Sequence, residues 1–395
     1  MTRPRDPIAA VTHPDPYPYY AELGARRLYR DDTLGLWVAA SASAVTSVLE
    51  SDACRVRPAA EPVPNAIVGS PAGDIFGRLV RMNDGEAHAA MKPAVQASLA
   101  PLDASRVAAE ARRWAGRLTD ELEPKAHPDG VTEFAFRLSV YVVGSLIGLA
   151  PDRLRATAEW MSDFVRCIAP GGTTEQIEKA KAAANELIVM FRGALATSSP
   201  ASALLPALAR EASRARRADA DVVANAIGFL SQAYEATAGL IGNTLVTLAR
   251  HRAIADRAAA DVTFTTAVVR EVVRWDPPVQ NTRRFVARDA VIAGQPMREG
   301  DVVLVVLAAA NRDPAANPDP ARFDPGRAER RAFTFGAGVH ACPGETLATG
   351  IAAAGVERLL ALQLPLEPLA ERITYRASGN TRIPLFGARA RLASP

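Results

Sequence analysis

Apolar residues recur every three or four positions along most of this chain, which is the pattern of helices that bury one face. The longest such stretch covers residues 218–252, so a long helix is predicted there. Six shorter stretches show the same period and also predict helices: residues 103–117, 131–149, 151–169, 174–196, 265–275 and 344–362. Gly171-Gly172 is expected to break the chain between two of them.

Alternation with a period of two is confined to short segments, as expected for strands with one buried face. Residues 28–40 alternate around Leu34-Gly35 and predict a hairpin. Residues 279–286 and 302–307 predict further strands, and Ser378-Gly379-Asn380 is a candidate hairpin turn. The predicted fold class is therefore mostly α with small β-sheets.

Composition adds few constraints. The chain has 395 residues, of which 49% are hydrophobic and 23% are charged, as in ordinary globular proteins. Its net charge of +3 is too small to indicate a nucleic-acid partner. The longest charge-free apolar runs, residues 138–150 and 302–310, are shorter than the ~18 residues that a membrane span needs. No repeat or linker divides the sequence, so we expect one domain over residues 1–395 of a soluble, cytoplasmic protein.

One of the three cysteines stands in a setting that suggests chemistry. Cys342 follows a glycine-punctuated loop and precedes Pro343, which suits the first turn of a helix. A cysteine beside a helix N-terminus meets unpaired N–H groups and the positive end of the helix dipole, which favour the thiolate. Cys thiolate is one of the few axial ligands that haem iron takes from protein. Gly344 would leave room for a flat macrocycle.

The string Phe335-Gly336-x-Gly338-x-His340-x-Cys342-x-Gly344, followed by Leu347-Ala348, resembles the haem-binding loop of the cytochromes P450. Four other regions resemble this family in the same order: residues 84–92, 232–243, 271–274 and 320–327. The resemblance, which covers essentially the whole chain, implies a cytochrome P450 fold. Such a fold is prism-like and triangular, with a long central helix over the haem.

The resemblance also implies one haem b with Cys342 as its iron ligand. Phe335, Gly336, His340 and Gly344 would form the loop around that ligand. At the haem carboxylates the family places a His, an Arg four residues later and a second Arg, which correspond to His88, Lys92 and Arg284. Lys92 keeps the charge of the usual Arg but lacks its bidentate fork, and Arg283 is the neighbouring alternative to Arg284.

A buried charge network is implied as well. Glu271 and Arg274 stand three residues apart, which puts them on one helical face, and they resemble the Glu-x-x-Arg of the family. The third member is expected to be Arg322, and the network is expected to order the loops around the haem.

The centre of the long helix resembles the stretch that crosses the oxygen-binding face of the haem. Glu235 matches the family's acid and Thr237 its last position, but Ala236 replaces the threonine that handles protons. Three interpretations remain open. Thr237 substitutes after a one-position adjustment of the helix, or a water or substrate hydroxyl relays the proton from Glu235. The third is a reaction with a different proton demand, such as oxidative coupling or peroxide-driven oxidation.

The activity implied is insertion of one oxygen atom from O2 into a small organic substrate, an intermediate of secondary metabolism. Electrons would come from NAD(P)H through a separate ferredoxin reductase and ferredoxin, and the protein would be a monomer. The pocket is expected at Gln232, Tyr234, Gln280, Asn281 and Thr282, unless several of these side chains point away from it.

Two other classes of function remain as alternatives. A haem-binding scaffold or sensor without turnover would explain Ala236. A cysteine-nucleophile enzyme without haem would need a His/Asn partner pattern, which the five histidines do not supply.

Overall fold

A computed structural model describes residues 3–167, 172–197 and 203–387. The chain divides into two compact units. The first unit consists of Met1–Arg55, Ala115–Ala135 and Glu235–Pro395, and the second consists of residues 56–114 and 136–234. Three helices contribute residues to both units. The expectation of one domain over residues 1–395 stays a prediction.

Helices account for most of the described chain, as the apolar period predicts. They are α1 (Tyr17–Arg26), α2 (Ala42–Glu50), α3 (Pro71–Arg78), α4 (Gly85–Leu99), α5 (Ala104–Leu122), α6 (Asp129–Ile147), α7 (Leu154–Phe164), α8 (Thr174–Ala196), α9 (Leu204–Arg214), α10 (Asp219–Ala249), α11 (Arg252–Ala260), α12 (Val262–Trp275), α13 (Leu307–Asn311), α14 (Glu345–Ala361) and α15 (Leu366–Glu371).

The strands all belong to the first unit. They are β1 (Leu28–Asp31), β2 (Leu36–Ala39), β3 (Cys54–Arg55), β4 (Thr282–Val286), β5 (Ala290–Ile292), β6 (Gln295–Met297), β7 (Val302–Val305), β8 (Thr374–Tyr375) and β9 (Pro384–Leu385). One sheet has the order β1-β2-β7-β4-β3, while β5–β6 and β8–β9 form antiparallel pairs. In the larger sheet β2 and β7 are parallel, and the other neighbours are antiparallel.

The neighbouring strands β2 and β7 are apolar along their whole length and bury both of their faces. Val303 and Val305 point to a core that includes α2, whereas Leu304 points to a second core beside α1 and α13. Neighbouring Val38 and Ala39 divide between the two cores in the same way. This division follows from the two-residue period of a strand.

The second unit is built from helices. In it α3 and α7 pack against α8, and α4 packs against α9. Trp114 and Tyr141 meet edge to face, with ring centroids 5.2 Å apart. Among the described residues, α6 is the one helix long and apolar enough to cross a membrane by length and composition, but 72% of its most apolar window is buried.

The predicted fold class is confirmed, and so are the hairpin over residues 28–40 and the turn at residues 378–380. The apolar period predicted the wrong end for two helices. The helix expected over residues 218–252 ends at Ala249, and α11 starts at Arg252 as a separate element. The helix expected over residues 151–169 ends at Phe164, followed by a 3-10 turn to Cys167, and its last residues and Gly171 lie outside the described residues.

Candidate active site

The loop that precedes α14 presents the sulfur of Cys342. The Cys342 N–H donates to the carbonyl of Phe335 at 2.8 Å, which closes the loop. Gly336 and Gly338 have φ values of +72° and +66°, a backbone region that favours glycine. The Cys342 side chain is exposed, and the Gly344 N–H points at its sulfur from 3.4 Å. The loop therefore offers a sulfur ligand beside a helix N-terminus.

The base of this loop is held by buried polar residues. Asn311 is fully buried, and its amide donates to the Thr334 hydroxyl at 2.9 Å while its carbonyl oxygen accepts the Phe333 N–H at 2.6 Å. The Thr334 hydroxyl donates in turn to the carbonyl of Val273 in α12 at 2.6 Å. These bonds tie the start of the loop to the end of α12.

Two glycines shape the loop around the sulfur. At Gly338 a Cβ atom would lie 3.1 Å from the carbonyl oxygen of Leu49 in α2, so the loop packs tightly on that helix. At Gly344 a Cβ atom would meet only the Cys342 sulfur, at 3.6 Å, which is ordinary contact. The space that Gly344 leaves beside the sulfur, together with the thiolate-favouring setting, fits a flat macrocycle ligated by Cys342.

The other two cysteines lie in different surroundings. Both are buried, and burial raises the pKa of the Cys54 thiol and raises that of the Cys167 thiol to about 11. A raised pKa keeps these thiols protonated at neutral pH, which makes them poor ligands for a metal.

Arg283 and Arg284, the two candidates for binding a haem carboxylate, point to opposite faces of strand β4. Arg283 is exposed, whereas the neighbouring Arg284 is 8% exposed on the opposite face. The Arg284 guanidinium donates to the carbonyl of Arg283 at 2.9 Å. Of the two, Arg284 is the inward-facing cation of the first unit.

His88 and Lys92 lie in α4, in the second unit. They are one helical turn apart and share a face, as their spacing predicts. His88 is buried and Lys92 is half-buried. Their assignment to the haem carboxylates stays a prediction that rests on the resemblance.

The buried network around Glu271 contains Arg274, as expected, together with two arginines that were not expected. Glu271 and Arg274 are both fully buried and paired at 2.5 Å. The other side chains that reach Glu271 are Arg330, at 2.8 Å, and Arg327, at 3.4 Å.

The assignment of Arg322 to this network was wrong. Its side chain is 67% exposed, and only its backbone carbonyl takes part, by accepting a hydrogen bond from Arg274 at 3.0 Å. The segment after α13 has no regular period, so the sequence did not indicate which of its arginines point inward.

The centre of α10 carries the three residues of the predicted proton-delivery site. Glu235 and Ala236 are partly exposed, whereas Thr237 is fully buried. The Thr237 hydroxyl makes no hydrogen bond within the described residues. Ala236 offers only a methyl group beside the Glu235 carboxylate.

Sequence reasoning missed the partner of that carboxylate. The Arg376 guanidinium lies 3.2 Å from Glu235, and the two side chains are 23% and 27% exposed. Arg376 directly follows β8, far from Glu235 along the chain. The predicted turn at residues 378–380 was the available signal, because it folds this segment into a hairpin.

The five residues expected to line the pocket divide into two groups. Tyr234 is buried with its ring centroid 4.8 Å from that of Phe136, and Gln280 and Asn281 are also buried. The Gln280 amide donates to the carbonyl of Pro277 at 2.6 Å, and the Asn281 amide donates to that of Gly379 at 2.9 Å. These contacts favour the alternative, namely that several of the five support the backbone. Gln232 is exposed, and its amide donates to the carbonyl of Gly228 at 3.0 Å, while the half-buried Thr282 hydroxyl accepts from the Arg284 guanidinium at 3.5 Å.

Comparisons with known proteins find matches to cytochromes P450. The family model for cytochrome P450 matches residues 172–361. A putative cytochrome P450 133B2 of Xylella fastidiosa (strain 9a5c) is 29% identical over 309 residues, which cover 77% of this chain and 75% of the relative. The 6-deoxyerythronolide B hydroxylase of Saccharopolyspora erythraea is 27% identical over 360 residues, which cover 88% of each chain.

The fold is similar to that of solved structures. One is P450BioI in complex with an acyl carrier protein ligated to hexadec-9Z-enoic acid. It matches with a TM-score of 0.79 and 20% identity, over 94% of this chain and 97% of that chain. At this level of identity the likeness shows the fold.

Proposed function

The chain belongs to the cytochrome P450 superfamily and is a monooxygenase with a haem iron cofactor, and we propose that it oxidises a small intermediate of secondary metabolism with Cys342 as the ligand of haem b. The observation that carries this proposal is the Cys342 loop. An exposed sulfur accepts the Gly344 N–H at 3.4 Å, and Gly344 leaves the space beside that sulfur open. When bound, a thiolate-ligated haem supplies the activation of O2.

Residues of the first unit would hold and surround this cofactor. Cys342 would bind the iron, and Arg284 would bind a haem carboxylate by a charge-assisted hydrogen bond. The turn that begins at Phe335 and Gly336 and contains His340 would fix the sulfur, since the Cys342 N–H donates the closing hydrogen bond to the Phe335 carbonyl. Its buried base, at Asn311, limits movement of the ligand.

Proton delivery is the step in which this chain departs from its family. We propose that Glu235 supplies protons through a water or a substrate hydroxyl, because Ala236 has no hydroxyl with which to hand them on. The full burial of Thr237 supports this choice over direct substitution by Thr237. Electrons would come from NAD(P)H through a separate ferredoxin and its reductase.

The substrate class is proposed from two relatives. One is named as a hydroxylase of 6-deoxyerythronolide B, and the other was solved with a fatty acid ligated to an acyl carrier protein. By analogy with them, we propose a small biosynthetic intermediate as the substrate of this chain. With Gln280 and Asn281 bonded to the backbone, few polar groups remain for a substrate, so a largely apolar molecule fits better than a peptide.

The decisive experiment is the absorption spectrum of the reduced protein with CO. The wild-type protein is expected to show the thiolate-type band, and Cys342→Ala is expected to lose it. Cys54→Ala is a matched control, because that thiol is buried in a hydrophobic core, and it should keep the band. Retention of an unchanged band in Cys342→Ala would overturn the proposal.

A further inference from the structure

The hairpin β8–β9 lies directly against α10, because two glycines of the helix leave no room for side chains. At Gly239 a Cβ atom would lie 2.8 Å from the Cβ atom of Pro278 and 2.9 Å from the carbonyl oxygen of Arg382. At Gly242 it would lie 3.0 Å from Pro384 in β9. Real Cβ atoms essentially never approach other atoms as closely as at Gly239, and the contact at Gly242 would be unusually tight, so these glycines set the distance between hairpin and helix.

This packing brings a charged residue of the hairpin to the proton-carrying acid. Glu235 precedes Gly239 by one helical turn, so both face the hairpin. The N–H of Arg376 donates to the carbonyl of Ile383 at 2.9 Å, which anchors its backbone across the hairpin. From this position its guanidinium reaches the Glu235 carboxylate at 3.2 Å.

The second arginine of the hairpin, Arg382, binds groups other than Glu235. Arg382 is 1% exposed and pairs with Asp276 at 3.0 Å. It also donates to the carbonyls of Val11 and His13, at 3.1 Å and 2.6 Å. Arg376 is therefore the hairpin guanidinium that acts on Glu235.

We propose that Arg376 is a positioning residue that holds the Glu235 carboxylate in one orientation for proton delivery. A glutamate that is about a quarter exposed otherwise samples several rotamers about its three side-chain torsions. In the family a neighbouring hydroxyl helps to order the proton path, and Ala236 offers none. The ion pair with Arg376 supplies this order from the hairpin. The inference rests on the proposed function, because orientation of Glu235 matters only if Glu235 handles protons.

The test compares Arg376→Gln with Arg376→Lys and with Arg372→Gln. Arg372 is an exposed arginine just before the same hairpin and serves as the matched control. Each holoprotein is supplied with NADPH, a surrogate ferredoxin and reductase, and hexadec-9Z-enoic acid as the probe. The first readout is hydrogen peroxide released per NADPH consumed, measured in H2O and in D2O. The second is the thermal unfolding midpoint of the ferric holoprotein, which does not depend on turnover.

Arg376→Gln is expected to lower the rate of NADPH-driven product formation by about tenfold and to increase the peroxide released per NADPH. The effect should be smaller than the 10²–10⁴-fold that a proton-transfer group itself contributes, because Arg376 only positions that group. Arg376→Lys should recover part of this loss, because it keeps the charge without the fork. The double variant with Glu235→Gln should be no worse than Glu235→Gln alone. In the unfolding midpoint the two single changes should likewise be non-additive, as expected for residues in contact.

Equal coupling and midpoints in Arg376→Gln and Arg372→Gln would overturn the inference, as would additive effects in the double variant. The CO spectrum of each variant separates this outcome from failure of the proposed function. A wild-type protein without the thiolate band would contradict the function itself. If Arg376→Gln lost the band, the inference would be tested by peroxide release per NADPH in Arg376→Lys and Arg372→Gln. Equal release in these two variants would overturn it.

Discussion

At the residue scale, Ala236 carries a methyl group at the position where the family resemblance leads us to expect a hydroxyl. Ala236 neither donates nor accepts a hydrogen bond. Next to it, Thr237 keeps a hydroxyl but is fully buried, whereas Glu235 is partly exposed and forms an ion pair with Arg376. Of these neighbours, Glu235 is the one with both a titratable group and access to solvent.

We therefore predict that Glu235→Gln lowers product formed per NADPH much more than Thr237→Ala does. The amide cannot carry a proton between solvent and substrate, and a loss of about tenfold or more is expected for a proton-transfer group. Product and NADPH consumption are measured together with surrogate redox partners. Thr237→Ala serves as the control from the same helix turn. Equal coupling in the wild-type protein and Glu235→Gln would rule out this assignment.

The sequence predicted only part of the buried network around Glu271. The spacing of Glu271 and Arg274 predicts their shared helical face, because the helix supplies a period. The segment after α13 contains Arg322, Arg327 and Arg330 without a regular period, so the sequence does not show which of them point inward. Two of the three point inward, and the one expected to do so is exposed.

Glu271 and Arg322 should therefore differ sharply in how much their substitution destabilises the protein. Glu271→Gln removes a buried carboxylate that pairs with Arg274, Arg327 and Arg330, and should destabilise the protein by roughly 3–5 kcal/mol. Arg322→Ala removes an exposed side chain and should change stability by less than about 0.5 kcal/mol. Urea unfolding measures both. A large loss in Arg322→Ala would restore that residue to the network.

At the element scale, boundaries were predictable where a local signal marks them. The start of α8 at Thr174 matches the expectation, because Thr173 and Gln176 form a capping box. The break between α10 and α11 was missed, since Ala249, Arg250 and His251 contain no glycine or proline. Close packing of α10 on the hairpin was missed as well, because it joins segments that are distant in sequence.

Two helical glycines test that packing. Gly239→Ala places a methyl group 2.8 Å from the Cβ atom of Pro278, and should destabilise the protein by about 1–3 kcal/mol through overpacking. Gly116→Ala in α5 meets nothing within 4 Å, and should stabilise it by about 0.5–1 kcal/mol through helix propensity. The difference in unfolding midpoint between the two variants is the measurement. If both variants were stabilised, the hairpin would not be held against the helix.

At the scale of the whole molecule, buried tyrosines determine how the fold responds to alkaline pH. Burial raises the pKa of Tyr17, Tyr19, Tyr20 and Tyr29 above the ordinary value of 10, and raises that of Tyr375 to about 12. Burial lowers the pKa of Arg312 to about 10, which acts in the opposite direction. The tyrosines outnumber it, so a net loss of stability is expected at high pH.

Proton linkage determines the direction in which the free energy of unfolding changes with pH. Above about pH 10 the unfolded tyrosines release protons while the folded ones keep them, so the unfolded state binds fewer protons and stability falls as pH rises. Below pH 10 all of them are neutral in both states, and their contribution is fully present. The loss should continue through pH 12, where the folded Tyr375 begins to ionise.

Tyr20→Phe should reduce this alkaline loss and should not weaken the protein at neutral pH. The Tyr20 hydroxyl is buried without a hydrogen bond in the described part of the chain, so its removal should leave stability unchanged or raise it by up to about 1 kcal/mol. Tyr375→Phe is the contrasting variant, because its hydroxyl accepts from Arg382 at 2.6 Å, and it should lose about 1.5–3 kcal/mol at neutral pH. Unfolding midpoints of both variants from pH 7 to pH 11 test this. A Tyr20→Phe protein with the wild-type slope above pH 10 would show that this side chain does not contribute to the alkaline loss.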